Sequence, residues 1–282
     1  MLGTIFLGIP LSWLLVFVVL PIFLAFYLSF TSYNILKPPR WIGLGNFEDL
    51  VDDPLFLTAV RNTLVYTAAT VPLGIALSLG LALLVNRRLP GAAAFRTIFY
   101  APVVAPIVAV ALVWVLFYDP TVGLFNYALG RFGIAPQRWL ASSALAMPSI
   151  IAMSLWKGLG LNMVIFLAGL QAIPRELYEA AWLDGAGPLR AFRSITLPLL
   201  MPSMVYVLVT SIVTSFQVFS QVYVMTGGGP NNATTTIVHQ IYRTAFVHLD
   251  LGYASAMAIV LFIVLVVASL ANVRFLADGG GL

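Results

Sequence analysis

Glu179 is followed by Ala180 and Ala181, and then by Asp184, Gly185 and Ala186, within a stretch bounded by Arg175 and Arg193. Two alanines beside one carboxylate keep bulk off a helix face, which can then enter a groove on another protein and present a single charge. Pro174 suits the first turn of such a helix, and Gly185 to Gly187 supply the permissive backbone that ends it near Leu183. Pro188 can open a second short helix, on which Leu189, Phe192 and Ile195 recur on one apolar face. The chemistry implied is recognition of a partner.

Lys157 is a candidate for a different reason. It stands in a long apolar segment, where an ammonium costs roughly 2.5 to 3.5 kcal/mol. Its head must face a cavity or a partner, where it could hydrogen-bond a solute, or its stem must snorkel toward water. Signals for catalysis are poor. The chain has no cysteine, which excludes disulfides, thiolate metal sites and thiol nucleophiles. His239 and His248 have no ligand partners near them in the sequence, so no metal site is expected. Gly227-Gly228-Gly229-Pro230 lacks the Lys-Ser or Lys-Thr of a phosphate-binding loop, so this chain is not expected to bind ATP. That glycine run reads as a turn on the outer face.

Composition dictates the elements that must position these residues. Of 282 residues 61% are hydrophobic and 9% charged, against about 25% charged in soluble domains. Fourteen basic and ten acidic side chains cannot cover the surface of such a protein in water, and a lipid surround is implied. The net charge of +4 does not point to nucleic acid, because the longest basic run is Arg87-Arg88 and no aromatic-interleaved basic patch follows it. Apolar windows of about 20 residues, enough to cross a bilayer, fall at about 5–30, 62–86, 97–118, 145–170, 197–224 and 252–274, free of charge apart from Lys157 in the fourth and Arg274 at the end of the last. The first lacks a basic leader and is read as a retained helix, not a cleaved signal. Pro10, Pro21, Pro72, Pro102, Pro106, Pro148, Pro198 and Pro202 lie inside these windows. Prolines bend helices and free backbone groups, so a gapped transporter bundle fits better than a rigid anchor. All ten acids lie outside the windows, which argues against an ion-coupled secondary transporter and against an intramembrane hydrolase. Cations divide almost evenly between the two sides, so charge alone sets no orientation.

Glu179-Ala180-Ala181, then Gly185, then Ile195, Leu197 and Pro198 resemble the EAA loop of permease subunits from binding-protein-dependent ABC importers, in residue type and in spacing. Gly45-Asn46-Phe47, Asp53-Pro54, Asn62-Thr63, Trp156-Lys157, Leu167-Ala168-Gly169-Leu170, Gly228-Gly229-Pro230 and Ile241-Tyr242 are similar to carbohydrate-importer permeases of the maltose and glycerol-phosphate type. The resemblance extends over nearly the whole chain and implies an all-α membrane protein: six transmembrane helices in one domain over 1–282, with type I ABC importer permease architecture and cytoplasmic EAA coupling helices at 173–195.

It implies more about partners and roles. Expected partners are a second, non-identical permease, two ATPase subunits that hold ATP and magnesium, and an extracytoplasmic sugar-binding protein. No cofactor is expected on this chain. The location implied is a bacterial-type inner membrane, with both termini cytoplasmic. Glu179 would pair with a basic group of the ATPase, while Ala180, Ala181, Asp184, Gly185 and Ala186 would allow close docking. The family's substrate contacts, carried over by spacing, fall on Ser154, Lys157, Gly158 and Leu161 and on Ser211, Thr214 and Ser215, with Gln217 and Gln221 as polar neighbours. Small hydroxyls stand where the maltose type has asparagines and a tyrosine, so maltose itself is not implied.

Overall fold

The computed structural model describes residues 2–86 and 91–279, so the basic pair Arg87-Arg88 lies outside the described residues. Helices α1 (Leu2–Leu14) and α2 (Leu20–Ser29) are joined by a π turn at Leu15–Val19. Pro21 accounts for that turn, because it has no N–H to return to the carbonyl four residues before it. The chain then makes a two-stranded antiparallel sheet, β1 (Thr31–Ser32) with β2 (Arg40–Trp41), Thr31 lying opposite Trp41. This small sheet departs from the all-helical expectation. After it comes α3 (Gly45–Asp52), where the Asn46 side-chain amide donates to the carbonyls of Ser29 and Thr31 at 2.8 and 2.9 Å.

Helix α4 runs from Pro54 to Val85, two turns longer at its start than the charge-free window. The Asp53 carboxylate caps it, accepting from the Leu55 and Phe56 amides at 2.8 and 3.3 Å, and Pro54 occupies the first turn. A good cap holds the helix through Arg61, which the window had placed outside.

Helices α5 (Ala92–Val104) and α6 (Ile107–Phe117) meet at 99°. The break follows from Pro106: the residue before a proline is driven to an extended conformation, and Ala105 sits at φ −68°, ψ 138°. Helix α7 (Leu124–Arg131) lies beyond, its Phe125 ring 4.9 Å from Tyr118 and 5.6 Å from Trp114. Helix α8 (Ala146–Gln171) is long and unbroken, and α9 (Arg175–Leu183) follows it.

The next stretch contains α10 (Pro188–Ala191), a π turn at Phe192–Thr196, α11 (Leu197–Leu199) and α12 (Met201–Phe216), with a 66° bend at Leu200. Pro198 and Pro202 remove the amide hydrogens that would carry a straight helix through this point. The continuous helix expected over 197–224 also ends early, since Gln217 leaves the helical region before α13 (Ser220–Met225) begins. A loop leads to α14 (Ile237–Tyr242), a third π turn at Arg243–Val247, and α15 (Leu251–Gly279). Among the described residues, four helices are long and apolar enough to cross a membrane, Leu7–Ser29, Pro54–Val85, Ala146–Gln171 and Leu251–Ala271. The two bent pairs qualify only when each is taken as one unit.

The bundle is organised around α8, which packs along α4 and α5, with α12 against α4 and α15 against α2. In lipid, apolar side chains gain little by leaving their surroundings, so close backbone approach and van der Waals contact drive packing. Two glycines supply that approach. A Cβ on Gly160 would overlap the Phe99 carbonyl of α5, and one on Gly169 would lie 2.7 Å from Leu200 Cδ1. Around them Met163, Phe166, Leu167 and Leu170 of α8 form a buried cluster with Ala82 and Val85 of α4 and with Leu200 and Val207.

Candidate functional site

A cavity of about 530 Å³ lies among α4, α8, α12 and α13. Each wall presents small or polar residues at four-residue intervals, which share one helix face. Helix α4 gives Tyr66, Thr70 and Gly74; α8 gives Ser154, Gly158 and Asn162; α12 gives Ser211 and Ser215, with Thr214 beside them; α13 gives Gln221.

The hydroxyls are already oriented. Thr70 donates to the Tyr66 carbonyl at 2.7 Å, Thr214 to the Thr210 carbonyl at 2.8 Å and Ser215 to the Ile212 carbonyl at 2.9 Å. Their protons are spent on the helix backbone, which leaves oxygen lone pairs to accept from a guest. Gln221 Nε2 reaches the Tyr66 and Ser154 hydroxyls at 3.4 Å each, a loose network across three helices. The cavity offers acceptors, amides and an apolar floor from Val71, Ile107 and Leu155, with no carboxylate in its lining.

Lys157 borders this cavity, and its ammonium is engaged elsewhere. Nζ donates to the carbonyls of Pro102, Val103 and Ala105 at 3.0, 3.4 and 2.8 Å. Pro102 and Val103 lie in the last turn of α5 and Ala105 is the extended residue that ends it, and the Pro102 carbonyl is the group that Pro106, four residues on, cannot satisfy. A cation at a helix C-terminus also meets the negative end of the helix dipole.

Of the residues expected along a solute path, Ser154, Lys157, Gly158, Ser211, Thr214 and Ser215 come together around the cavity, as does Gln221. Leu161 and Gln217 do not line it; Leu161 is 47% exposed, and Gln217 ends α12 with its side chain exposed. Tyr66, Thr70, Gly74 and Asn162 were not anticipated. Their signal is present in the sequence as polar or small residues recurring every fourth position along α4 and α8.

The C-terminal end of α8 leads into the loop from 173 to 195, whose Ile173, Tyr178 and Ile195 pack on the buried cluster while most of its other side chains are exposed. Helix α9 ends in a complete Schellman motif: the Ala186 amide donates to the Ala181 carbonyl at 2.8 Å and the Gly185 amide to the Trp182 carbonyl at 3.0 Å. Gly185 sits at φ +74°, the left-handed conformation that the motif requires. Tyr178 Oη and Thr196 Oγ1, 2.8 Å apart, tie α9 to the segment that follows. Glu179, Ala180, Asp184 and Gly185 are exposed, Ala181 and Ala186 half-buried. Trp182 and Leu183 are 63% and 89% exposed, an apolar surface that no part of this chain covers among the described residues. The apolar face expected from Leu189, Phe192 and Ile195 is divided, since Leu189 is exposed while Phe192 and Ile195 are half-buried. The π turn rotates the face between them.

The glycine run is a tightly braced knot. Thr234, Thr235 and Thr236 are buried, and Asn62 Nδ2 crosses from α4 to donate to the carbonyls of Asn232 and Thr235 at 2.8 and 2.9 Å. Thr63 Oγ1 accepts from the Ile237 amide at 3.0 Å. His239 is buried beneath the knot, and that burial, followed by the nearby positive charge of Arg243, pushes its imidazole down to about 4.

Comparison with known proteins fits this geometry. Over 247 residues the chain is 39% identical to the sulfoquinovosyl glycerol transport system permease protein SmoG of Agrobacterium fabrum, covering 87% of this chain and 80% of that protein. It is 37% identical over 238 residues to the sn-glycerol-3-phosphate transport system permease protein UgpA of Yersinia pestis, covering 84% and 80%. The fold matches a chain of a bacterial alginate ABC transporter crystallised with an alginate pentasaccharide-bound periplasmic protein, with TM-score 0.85, 27% identity and coverage of 96% and 92%. Residues 55–278, which hold both the cavity and the loop from 173 to 195, match the family of binding-protein-dependent transport system inner membrane components, and the chain belongs to that family.

Proposed function

We propose that this chain is the membrane-spanning permease subunit of an ATP-driven importer that moves a mono-, di- or oligosaccharide. An extracytoplasmic binding protein delivers the solute, a second non-identical permease completes the pathway, and two ATPase subunits carry ATP and magnesium. The chain itself is a transport subunit, not an enzyme. Each bent pair counts as one span, which gives six spans in one unit over 1–282 with both termini on one side; the family resemblance of the loop at 173–195 makes that side the cytoplasm. A glycerol-phosphate-type solute is the second reading, favoured by the similarity to UgpA.

The observation that carries the proposal is the exposed face of α9. It ends in a Schellman cap, it exposes Glu179 beside Trp182 and Leu183, and no part of this chain covers that surface among the described residues. Closure of the ATPase pair drives this helix, and the displacement is transmitted through Ile173 and Leu170 into the cluster around Leu200, where the pathway helix α12 begins. The solute occupies the cavity among α4, α8 and α12, reading hydroxyl against hydroxyl. The test is Glu179→Lys in the complete transporter, reconstituted with its partners. Insertion into the membrane should be normal and ATP-driven uptake lost; a well-inserted Glu179→Lys protein with normal uptake refutes the assignment.

A further inference from the structure

The cavity contains one charged residue in its lining, Lys157, and the fate of that charge decides what the cavity can hold. We propose that Lys157 is a positioning residue that ties the broken α5, not a solute ligand, and that this chain's wall of the cavity therefore accepts uncharged polyhydroxylated solutes and disfavours acidic ones. The proposal rests on the transport reading above and sharpens its solute class.

An ammonium has three protons. Here three carbonyls of one helix end take them, at 2.8, 3.0 and 3.4 Å. To meet an anion in the cavity, Nζ would have to abandon carbonyls that the break at Ala105-Pro106 leaves at the end of the helix, and each carbonyl left bare in an apolar region is costly. The remaining polar lining is neutral. Thr70, Thr214 and Ser215 turn lone pairs toward the guest, because their protons are held by backbone carbonyls. Lone pairs accept from the hydroxyls of a sugar and repel a phosphate or sulfonate. The Asn162 amide and the Ser211 hydroxyl make no internal hydrogen bond among the described residues and face the same space, and they supply donors of the neutral kind. SmoG and UgpA are named for solutes that carry a sulfo group and a phosphate, so solute charge is the property in which this chain is expected to part from them.

The test uses the complete transporter, purified with its partner subunits. Solute binding is measured by saturation-transfer NMR without the binding protein, so that the cavity alone selects. The neutral probes are glucose, maltose, sucrose and raffinose; the acidic probes are glucuronate and glycerol 3-phosphate. The best neutral probe should bind at least tenfold more tightly than either acid. ATP-driven uptake of that probe, with the binding protein restored, should show a kcat at least tenfold lower in Lys157→Met with KM within twofold of wild type. Lys157→Arg, which restores donors to the carbonyls, should recover most of the rate. An acidic probe that binds as well as the best neutral one overturns the proposal, as does a Lys157→Met protein in which KM rises tenfold at unchanged kcat. A complex that hydrolyses ATP yet binds and moves no probe of either kind overturns the transport reading itself, and the two failures are thereby distinct.

Discussion

Replacing Gly185 tests whether the loop from 173 to 195 is built by backbone conformation or by the need for empty space. Gly185 is the left-handed residue of the Schellman motif, at φ +74°. A Cβ built there meets nothing within 4 Å, so a substitution costs no internal clash. The whole penalty within this chain is conformational, about 1 to 2 kcal/mol for an ordinary L-residue. That lowers the capped form relative to its alternatives by about fivefold to thirtyfold. Asparagine tolerates the left-handed region better than alanine and should cost about half as much. The expected order of ATP-driven uptake in reconstituted transporter is therefore glycine, then asparagine, then alanine, then valine. Close docking on a partner, the role that the family resemblance assigns to this glycine, predicts another order, with alanine above the bulkier asparagine. Uptake by Gly185→Ala equal to or above that of Gly185→Asn refutes the conformational account.

Two further outcomes follow from packing and titration. Gly160→Val drives a side chain into the Phe99 carbonyl and should weaken the contact of α8 with α5 by about 1 to 3 kcal/mol, read as a lower Tm of the purified protein, whereas Gly80→Ala, with nothing within 4 Å of its Cβ, should leave Tm unchanged or slightly raised. His239 titrates near 4 in the fold against an ordinary 6.5. Since the folded value is the lower one, its contribution is full above pH 6.5 and is lost as pH falls toward 4, by about 2 kcal/mol between pH 7 and pH 5. Thermal unfolding at those two pH values should show the loss in wild type and its absence in His239→Asn.

Much of this was legible in the chain. The loop from Pro174 to Pro188 could be read in detail because its signals are local: a proline opens a helix, a glycine closes it, and a second proline opens the next. The bends were legible in kind, since Pro106 and Pro202 announce freed carbonyls, although their angles depend on what packs against them. The partner of the freed Pro102 carbonyl was not legible, because Lys157 lies 55 residues away and no local rule joins the two. The α4 wall of the cavity was missed for a different reason. Tyr66, Thr70 and Gly74 form a stripe of period four inside an apolar window, and only the approach of α8 and α12 makes that stripe face a cavity instead of lipid. Gln217 went astray because the helix carrying it ends before the turn that would have aimed it inward.

The knot around Pro230 has a consequence for how the chain is made. Asn62 and Thr63 are synthesised early, yet their hydrogen-bond partners lie 170 to 174 residues later. At about 5 to 20 residues per second, an amide and a hydroxyl near the start of a membrane helix wait roughly ten to thirty seconds for them. During that interval the nascent chain carries its helices up to α13 with an unfinished polar end at the start of α4. Any quality-control factor that surveys the membrane for exposed polar groups would see every chain cut short before Ile237 as incomplete, however well its earlier helices had inserted.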